Sequence, residues 1–229
     1  MAGNPKKRRQ GSIEQAITNG EAAFLTPAAL RQPSDDIGPR AQRTIMRIVE
    51  AAREVFLQHG YAGTTVDEIA RVAEVSRASF YTYFPTKREI LFAVGAHSAS
   101  EGSAIIARLP ESGRTRVGLT TWVNSYFEFL AIHGSFAFAW TQAARSDEEI
   151  RLTGMKRHLK LCRQFGVALA SSASRDCDSP ELLGLTMVSM LERLWSYARI
   201  YPERISMAEA AEQAAQAMWA SARGIPPRH

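Results

Sequence analysis

The sequence predicts an all-α protein, because apolar residues recur at helical spacing and no segment alternates β-branched or aromatic residues with polar ones. Helix start signals also recur along the 229 residues: a hydroxyl residue that can accept a hydrogen bond from a first-turn amide is followed three positions later by an acid. These pairs are Thr65 with Glu68, Thr86 with Glu89, Ser146 with Glu149 and Ser206 with Glu209. We expect nine helices, at 43–59, 65–72, 76–83, 86–109, 115–133, 135–144, 147–172, 180–200 and 206–223.

The composition is that of an ordinary globular protein, with 45% hydrophobic residues and a net charge of +5. No run of about 18 apolar residues appears, and no apolar stretch of signal-peptide type follows the basic quartet at 6–9. The two cysteines, Cys162 and Cys177, have no C-x-x-C spacing or Cys/His cluster near them. We therefore expect a cytoplasmic protein without a membrane segment, metal site or cofactor. The charge permits an anionic partner but does not require one.

Residues 1–39 contain repeated glycine and proline breakers, which predict a flexible N-terminal extension. Its basic quartet at 6–9 is either solvated or a basic arm that reaches a groove of nucleic acid. From Arg40 onward an amphipathic pattern begins and continues to His59 and Gly60, which are expected to close the first helix. The apolar face of this helix comprises Ile45, Ile48, Val49, Ala52, Val55 and Phe56.

Two short predicted helices, 65–72 and 76–83, are separated only by the residues at 73–75. So short a connection allows only a tight turn between crossing helices, which is the geometry of a helix-turn-helix. The outer face of the second helix offers small and hydrogen-bonding side chains with one arginine near its N-terminal end: Arg77, Ala78, Ser79, Tyr81, Thr82 and Tyr83. A helix that enters the major groove of DNA requires such a surface, whereas the alternative is a small solvent-facing helix.

The segment from Glu50 to Leu91 resembles the N-terminal domain of TetR-family regulators, with Gly-Tyr, Thr-Thr-Val, Ile-Ala, Val-Ser-Arg and Phe-Tyr-x-Tyr-Phe in register. The resemblance implies a three-helix DNA-binding head, a helical C-terminal domain that binds a small molecule, and dimerisation through the last two helices. By position, the resemblance implies that Arg77 and Ser79 face base edges of the DNA. It also implies that the hydroxyl and cationic side chains contact the phosphate backbone: Thr64, Thr65, Tyr81, Tyr83 and Lys87. The DNA-binding residues expected on this basis, with Arg43 added for its charge on the first helix, are Arg43, Thr64, Thr65, Arg77, Ala78, Ser79, Tyr81, Tyr83 and Lys87. Of these, Thr65 would cap its helix with or without DNA, and Arg43 and Lys87 are alternatively only solvated.

Aromatic residues are dense beyond Pro110, where eight aromatic or histidine side chains fall between Trp122 and Trp140. Most belong to a core, but an apolar ligand also requires large flat side chains with a few polar groups. The stretches TQAARSDEEI and MLERLW are similar to the ethionamide-regulator branch of the family, whose members accept long hydrophobic ligands, although Leu191 replaces a polar residue of that branch. The expected ligand-binding residues are Trp122, Tyr126, Phe129, His133, Phe138, Trp140, His158, Met187 and Trp195. Further candidate polar groups are Asn124, Gln164 and Glu192.

The last two predicted helices carry stripes of small and flexible residues, which favour a four-helix dimer interface through 180–200 and 206–223. The stripes are Leu183, Met187, Met190, Leu194 and Ala198 on one helix and Met207, Ala210, Ala211, Ala214, Met218 and Ala222 on the other. Packing inside one chain is the competing interpretation.

The predicted architecture is a flexible extension at 1–39, a three-helix helix-turn-helix domain at 40–90 and a six-helix ligand-binding and dimerisation domain at 91–229. The predicted function is a homodimeric repressor that a hydrophobic small molecule releases from a palindromic DNA operator. A constitutive DNA-binding regulator without effector is the first alternative. A helical enzyme acting on a hydrophobic substrate is disfavoured, because the sequence has no nucleophile elbow, phosphate-binding glycine loop or metal-spaced His/Glu set.

Overall fold

The computed structural model describes residues 38–224, except for the side chains of Ser135, Ala137 and Phe138. The basic quartet at 6–9 and nearly all of the expected extension lie outside the described residues, as does the Phe138 side chain. The described part of the chain contains nine helices: α1 Pro39–Gly63, α2 Val66–Val72, α3 Arg77–Tyr83, α4 Lys87–Ile106, α5 Leu109–Ser112, α6 Arg116–Ala144, α7 Glu148–Ser172, α8 Pro180–Ile200 and α9 Met207–Gly224. The predicted all-α class is therefore correct.

The chain divides into two compact units, one ending at Ser100 and the other beginning at Glu101. The division falls within α4, ten residues beyond the boundary expected at 90/91. Lys87–Ser112 is long and apolar enough to cross a bilayer by length and composition alone. Ile90, Leu91 and Val94 at its start are fully buried inside the first unit, and the core helix of a folded domain passes the same test.

In the first unit, the regular part of α1 is interrupted at Gly60, as the sequence predicts. Gly60 has φ 65° and ψ 178°, in the region that glycine adopts without a steric penalty. The apolar stripe of α1 from Ile45 to Phe56 is buried. Thr65 then caps α2, since its hydroxyl oxygen accepts a hydrogen bond from the Glu68 amide at 3.2 Å. These features place the two short helices directly after the first long one.

The second unit departs from the predicted helices at three points. The helices expected at 115–133 and 135–144 form one continuous helix, α6, because Gly134 does not break it. A Cβ at Gly134 would lie 3.1 Å from Cζ3 of Trp195, so this glycine allows the indole to pack closely against α6. The start of α7 is capped by Asp147 and not by Ser146: the Asp147 carboxylate accepts from the Ile150 amide at 3.1 Å. The helix expected at 86–109 ends at Ile106 and is followed by the short helix α5.

The core of the second unit is built from α6, α7, α8 and α9 around large aromatic side chains. The small-residue stripe of α9 and the stripe of α8 both pack into this core within one chain. The competing interpretation, packing inside one chain, is therefore observed for these stripes, and a dimer through α8 and α9 stays a prediction. The exposed large side chains of α8 and the residue after it lie on another face: Leu182, Tyr197, Ile200 and Tyr201.

Candidate DNA-binding and ligand-binding sites

The turn between α2 and α3 is fixed by a side chain from α1. Arg47 donates from Nη2 to the Ala73 carbonyl oxygen at 2.7 Å and pairs with the Glu74 carboxylate at 3.1 Å. Glu74 takes a left-handed φ of 51°, and the Val75 amide donates to the Ala70 carbonyl oxygen at 3.0 Å. Arg47 therefore satisfies a backbone carbonyl at the end of α2.

The inward-facing aromatic residues of α3 pack it into the first unit. Phe80 and the following Phe84 are fully buried, with ring centroids 5.8 Å apart. Ser76 caps the helix, because its hydroxyl oxygen accepts from the Ser79 amide at 3.0 Å. The outward side of α3 has the composition that the sequence predicts: Arg77, Ala78, Tyr81 and Thr82 are exposed, and Ser79 and Tyr83 are half-buried.

Arg77 has a defined partner, Asp67, at the start of α2. Its Nη1 lies 2.6 Å from both carboxylate oxygens of Asp67, and its Nη2 lies 3.4 Å from the Tyr81 hydroxyl. The carboxylate raises the pKa of the Arg77 guanidinium, and the Tyr81 hydroxyl adds to the effect. Both members of the pair are more than half exposed, so the pair lies on the surface of the helix-turn-helix. The sequence does not predict this pair, since no spacing rule links Asp67 to a residue ten positions later.

Two of the expected phosphate contacts serve the protein's own backbone. The Thr64 side chain is buried, and its hydroxyl donates to the Gly60 carbonyl oxygen at 2.6 Å. The Lys87 ammonium donates to the carbonyl oxygens of Tyr61 at 2.7 Å and Thr64 at 2.9 Å. It also lies 4.5 Å from the centre of the Tyr61 ring, and burial lowers the Lys87 pKa. Lys87 thus joins α4 to the α1–α2 connection and is not merely solvated.

The remaining candidates in the first unit are accessible. Arg43 and Thr65 are both exposed. The Thr65 hydroxyl uses its oxygen as the cap of α2, which leaves its hydrogen free to donate outward. The accessible candidate surface therefore comprises Arg43, Thr65 and the outer face of α3.

In the second unit, four of the expected ligand-binding residues form one row along α6. Trp122 and Tyr126 stack with centroids 5.3 Å apart, and Phe129 and His133 stack at 4.8 Å. Tyr126 and Phe129, 5.6 Å apart, join the two pairs into a continuous row. We call these four residues the aromatic row.

The aromatic row is closed by groups from neighbouring helices. Phe165 of α7, which the sequence analysis did not select, meets the Trp122 ring edge-on at 5.4 Å. The Trp122 indole N–H donates to the Ile105 carbonyl oxygen at 2.9 Å, and His133 Nε2 lies 2.8 Å from a Glu101 carboxylate oxygen. Most of the polar atoms in the row therefore have partners inside the unit.

A buried ionisable cluster adjoins the row. Burial raises the pKa values of Glu192 on α8, Tyr126 and Cys162, and the Glu192 carboxyl raises those of Tyr126 and Cys162 further. The Cys162 thiol, whose pKa is raised to about 11, lies 3.6 Å from Nε2 of His158. Glu192 is therefore close enough to Tyr126 of the row to act on it electrostatically, and His158 lies on the exposed side of Cys162.

The other expected ligand-binding residues are distributed around the same core. Met187 is buried, and Trp140 and Trp195 are half-buried. A Cβ at Gly154 would lie 2.6 Å from Cζ2 of Trp140, so this glycine brings the Trp140 indole against the backbone of α7. Phe138 is left without a placement, because its side chain lies outside the described part of the chain.

The first unit matches a known family. Residues 48–94, which include α2, the turn and α3, match the model of bacterial regulatory proteins of the tetR family. Over this segment the chain is similar to the tetR family. The aligned relatives are HTH-type transcriptional regulators: the regulator SrpR of Pseudomonas putida is 46% identical over 54 residues, which cover 24% of this chain and 25% of SrpR. The chain spans only 16% to 40% of the length of the first curated relatives that it matches.

Similarity to known transcriptional regulators extends beyond the first unit in two cases. The regulator EthR of Mycobacterium tuberculosis is 27% identical over 130 residues, which cover 53% of this chain and 60% of EthR. The crystal structure of the regulator FadR from Bacillus subtilis in complex with stearoyl-CoA has a TM-score of 0.55 at 19% identity, and the match covers 76% of this chain and 96% of FadR. At this identity the structural match shows a shared fold, with an N-terminal helix-turn-helix and a helical C-terminal domain.

Proposed function

We propose that the protein is a homodimeric transcriptional repressor whose α3 reads a palindromic operator in the major groove of DNA, and which acts in the cytoplasm. The observation that carries this proposal is the outer face of α3, where one arginine, small residues and tyrosine hydroxyls are exposed on a helix seated by Phe80 and Phe84. A recognition helix contacts base edges through its N-terminal residues, and Arg77 is the first residue of α3.

Arg77 has the chemistry to read guanine, since a guanidinium can donate two hydrogen bonds to O6 and N7. Its pairing with Asp67 and its approach to the Tyr81 hydroxyl hold the guanidinium on the exposed side of α3 in the absence of DNA. Ala78 and Ser79 allow close approach to the bases, and Tyr81 provides a hydroxyl for phosphate.

The Thr65 hydroxyl and the Arg43 guanidinium supply further phosphate contacts, and Tyr83 at the end of α3 adds another hydroxyl. Thr64 and Lys87 stabilise the α1–α2 connection through the hydrogen bonds to backbone carbonyl oxygens described above. The expected effect of either residue on DNA binding is therefore indirect.

A dimer is required because a palindromic operator presents two half-sites, about 34–36 Å apart when they are one turn of DNA apart. The helices expected to pair are α8 and α9, at 180–200 and 206–223. The exposed residues Leu182, Tyr197 and Ile200 supply apolar surface on α8, with Tyr201 directly after it. Burial of such side chains against a partner copy is favourable, whereas a monomer leaves them in water.

The proposed effector is a hydrophobic small molecule that binds along the aromatic row and among Met187, Trp140 and Trp195, with His158 and Phe138 as further candidates. The Trp122, Tyr126 and Phe129 rings supply flat apolar surface, and Glu192 supplies a buried polar group. The stearoyl-CoA bound to FadR supports a long aliphatic ligand for this fold. Release of DNA requires that the effector bind more tightly to a conformation that no longer fits both half-sites.

The experiment that tests the DNA-binding proposal starts with selection of operator sequences from a random DNA pool by the full-length protein. Affinity for the selected operator is then measured at fixed salt for the native protein, Arg77→Ala and Arg151→Ala. Arg151 is a matched control, because it is also an exposed arginine paired with a carboxylate, that of Glu148 on α7. We expect Arg77→Ala to weaken binding about 10- to 100-fold and Arg151→Ala to leave it unchanged. Equal affinity of all three proteins would overturn the proposal.

A constitutive regulator without effector is the second candidate, and the packing of the aromatic row favours it. Trp122 is 3% exposed, its rings are in contact with Tyr126 and Phe165, and its N–H is already bonded. A screen of hydrophobic compounds against the operator complex separates the two candidates. A compound that displaces the native protein from the operator, but not a Tyr126→Trp variant whose larger side chain fills the row, supports the effector. An operator complex that no compound affects supports the constitutive regulator.

A further inference from the structure

The second unit has an open groove of about 500 Å³ that none of the expected ligand-binding residues lines. It is bounded by the C-terminal part of α4, by Pro110 of α5 and by one face of α7. Its lining comprises Ser103, Ile106, Ala107, Pro110, Lys160, Arg163, Gln164, Val167, Ala168 and Ser171. The volume lies within the range of about 300–1,000 Å³ that is typical of small-molecule sites.

The α7 side of the groove is amphipathic along the helix axis. Its residues follow at spacings of three or four, so they share one face of the helix. Lys160 and Arg163 lie at one end of this face, Val167 and Ala168 follow toward the C-terminus of α7, and Ser171 lies at the far end. At 1.5 Å per residue, Lys160 and Ala168 are about 12 Å apart along the axis. The groove therefore offers positive charge at one end and, beside it, an apolar floor that Ile106 of α4 continues.

The two cations lack an acidic partner. Both are exposed, and within residues 38–224 neither Lys160 nor Arg163 forms an ion pair. Like charges at this spacing repel one another, so an anion that sits between them is stabilised.

Polar groups near the apolar floor are few and largely paired with each other. The Ser103 hydroxyl donates to Oε1 of Gln164 at 3.0 Å, which joins α4 to α7 across the groove. The amide nitrogen of Gln164 remains available to a carboxylate held by the two cations.

We propose that this groove binds a monomeric fatty carboxylate. The carboxylate lies between Lys160 and Arg163, and the aliphatic chain lies over Val167, Ala168 and Ile106. The site is separate from the aromatic row, and the proposal does not depend on the effector suggested for that row. A single-chain anion fits the observations because positive charge is confined to one end of the groove and the floor is apolar.

The test is calorimetric titration of the full-length protein with dodecanoate at a concentration below that at which it forms micelles. The variants are Lys160→Gln, Arg163→Gln, the double variant, and Lys156→Gln as the matched control on the same helix outside the groove. Exposed ion pairs contribute little each, so we expect each groove variant to bind dodecanoate about two- to five-fold more weakly and the double variant about ten-fold more weakly. Lys156→Gln should bind within two-fold of the native protein. Decanoate should bind more weakly than dodecanoate, by about two- to four-fold for each methylene removed.

Three outcomes would overturn the proposal. The first is unchanged dodecanoate binding in the double variant. The second is equal binding of dodecyltrimethylammonium, which has the same chain and the opposite charge. The third is co-sedimentation with phosphatidylglycerol vesicles in place of dodecanoate binding, which would make the surface a membrane contact.

Affinity for the selected operator is measured for the same variants without ligand. Operator binding that persists while dodecanoate binding fails would overturn the groove site and leave the DNA-binding proposal intact.

Discussion

The substitution Gly184→Ala tests how closely α7 and α8 cross. A Cβ at Gly184 would lie 2.5 Å from the carbonyl carbon of Cys162 and closer still to its oxygen. The same close approach recurs at Gly166, where a Cβ would lie 2.7 Å from the carbonyl carbon of Pro180. Both contacts are with backbone, which cannot rotate away as a flexible side chain can. An alanine therefore requires the two helices to move apart.

The magnitude follows from two opposing effects. Overpacking of a close-packed interior costs about 1–3 kcal/mol, and two backbone segments in contact place this site at the upper end. Replacement of glycine by alanine within a helix regains up to about 1 kcal/mol. The net loss of unfolding free energy is about 2 kcal/mol, which lowers Tm by about 4–8 °C for a chain of this size.

The assay is thermal unfolding followed by circular dichroism, with Gly224→Ala as the control. Gly224 has no atom within 4 Å of an added Cβ, so this variant should unfold at the native Tm or slightly above it. A Gly184→Ala protein that unfolds at or above the native Tm would refute the close crossing of α7 and α8.

Three further predictions concern caps and buried charges. Thr65→Ala removes the oxygen that accepts from the Glu68 amide, so the unfolding free energy should fall by about 1 kcal/mol, and Thr65→Ser should restore it in denaturant titrations. Lys87→Met leaves the carbonyl oxygens of Tyr61 and Thr64 without their donor, so it should destabilise the protein by about 1.5–3 kcal/mol; a loss of operator affinity without a change in stability would contradict this role. Glu192→Gln should stabilise the protein at neutral pH, because burial raises the Glu192 carboxyl pKa and the native protein loses stability as the pH rises through that raised value. The gain in Tm of the variant over the native protein should therefore shrink toward pH 4. A gain that is independent of pH would contradict this prediction.

The helix-turn-helix was predictable because its signals are local. The cap at Thr65, the break at Gly60 and the three-residue turn are all properties of a few consecutive residues. The apolar stripe of α1 repeats over three turns, which is long enough to distinguish a helix from a strand. The buried positions of Phe80 and Phe84 follow from the same pattern.

The errors in the second unit arose where contacts between distant residues decide the structure. Gly134 is a helix breaker by local preference, but α6 continues through it because Trp195 packs against it. The small-residue stripes of α8 and α9 fit a dimer face or a core equally well by spacing alone. The packing of the second unit places the α9 stripe in the core of its own chain, and a dimer through α8 and α9 stays a prediction.

The candidate sites show the same division. The exposed face of α3 could be predicted, since it is what remains after the apolar residues are placed inside. The Asp67 partner of Arg77 and the role of Arg47 at the turn could not, because each joins residues on different helices. Lys87 has no charged partner in the sequence pattern, and its backbone acceptors appear only in the folded chain.

The measurement that tests the central claim most directly is methylation interference on the selected operator, since methyl groups at guanine N7 block the major groove. We predict interference at guanines in two half-sites about 10 base pairs apart, and loss of that interference in Arg77→Ala but not in Arg151→Ala. Interference that is absent, or that is unchanged in Arg77→Ala, would contradict the reading of DNA by α3.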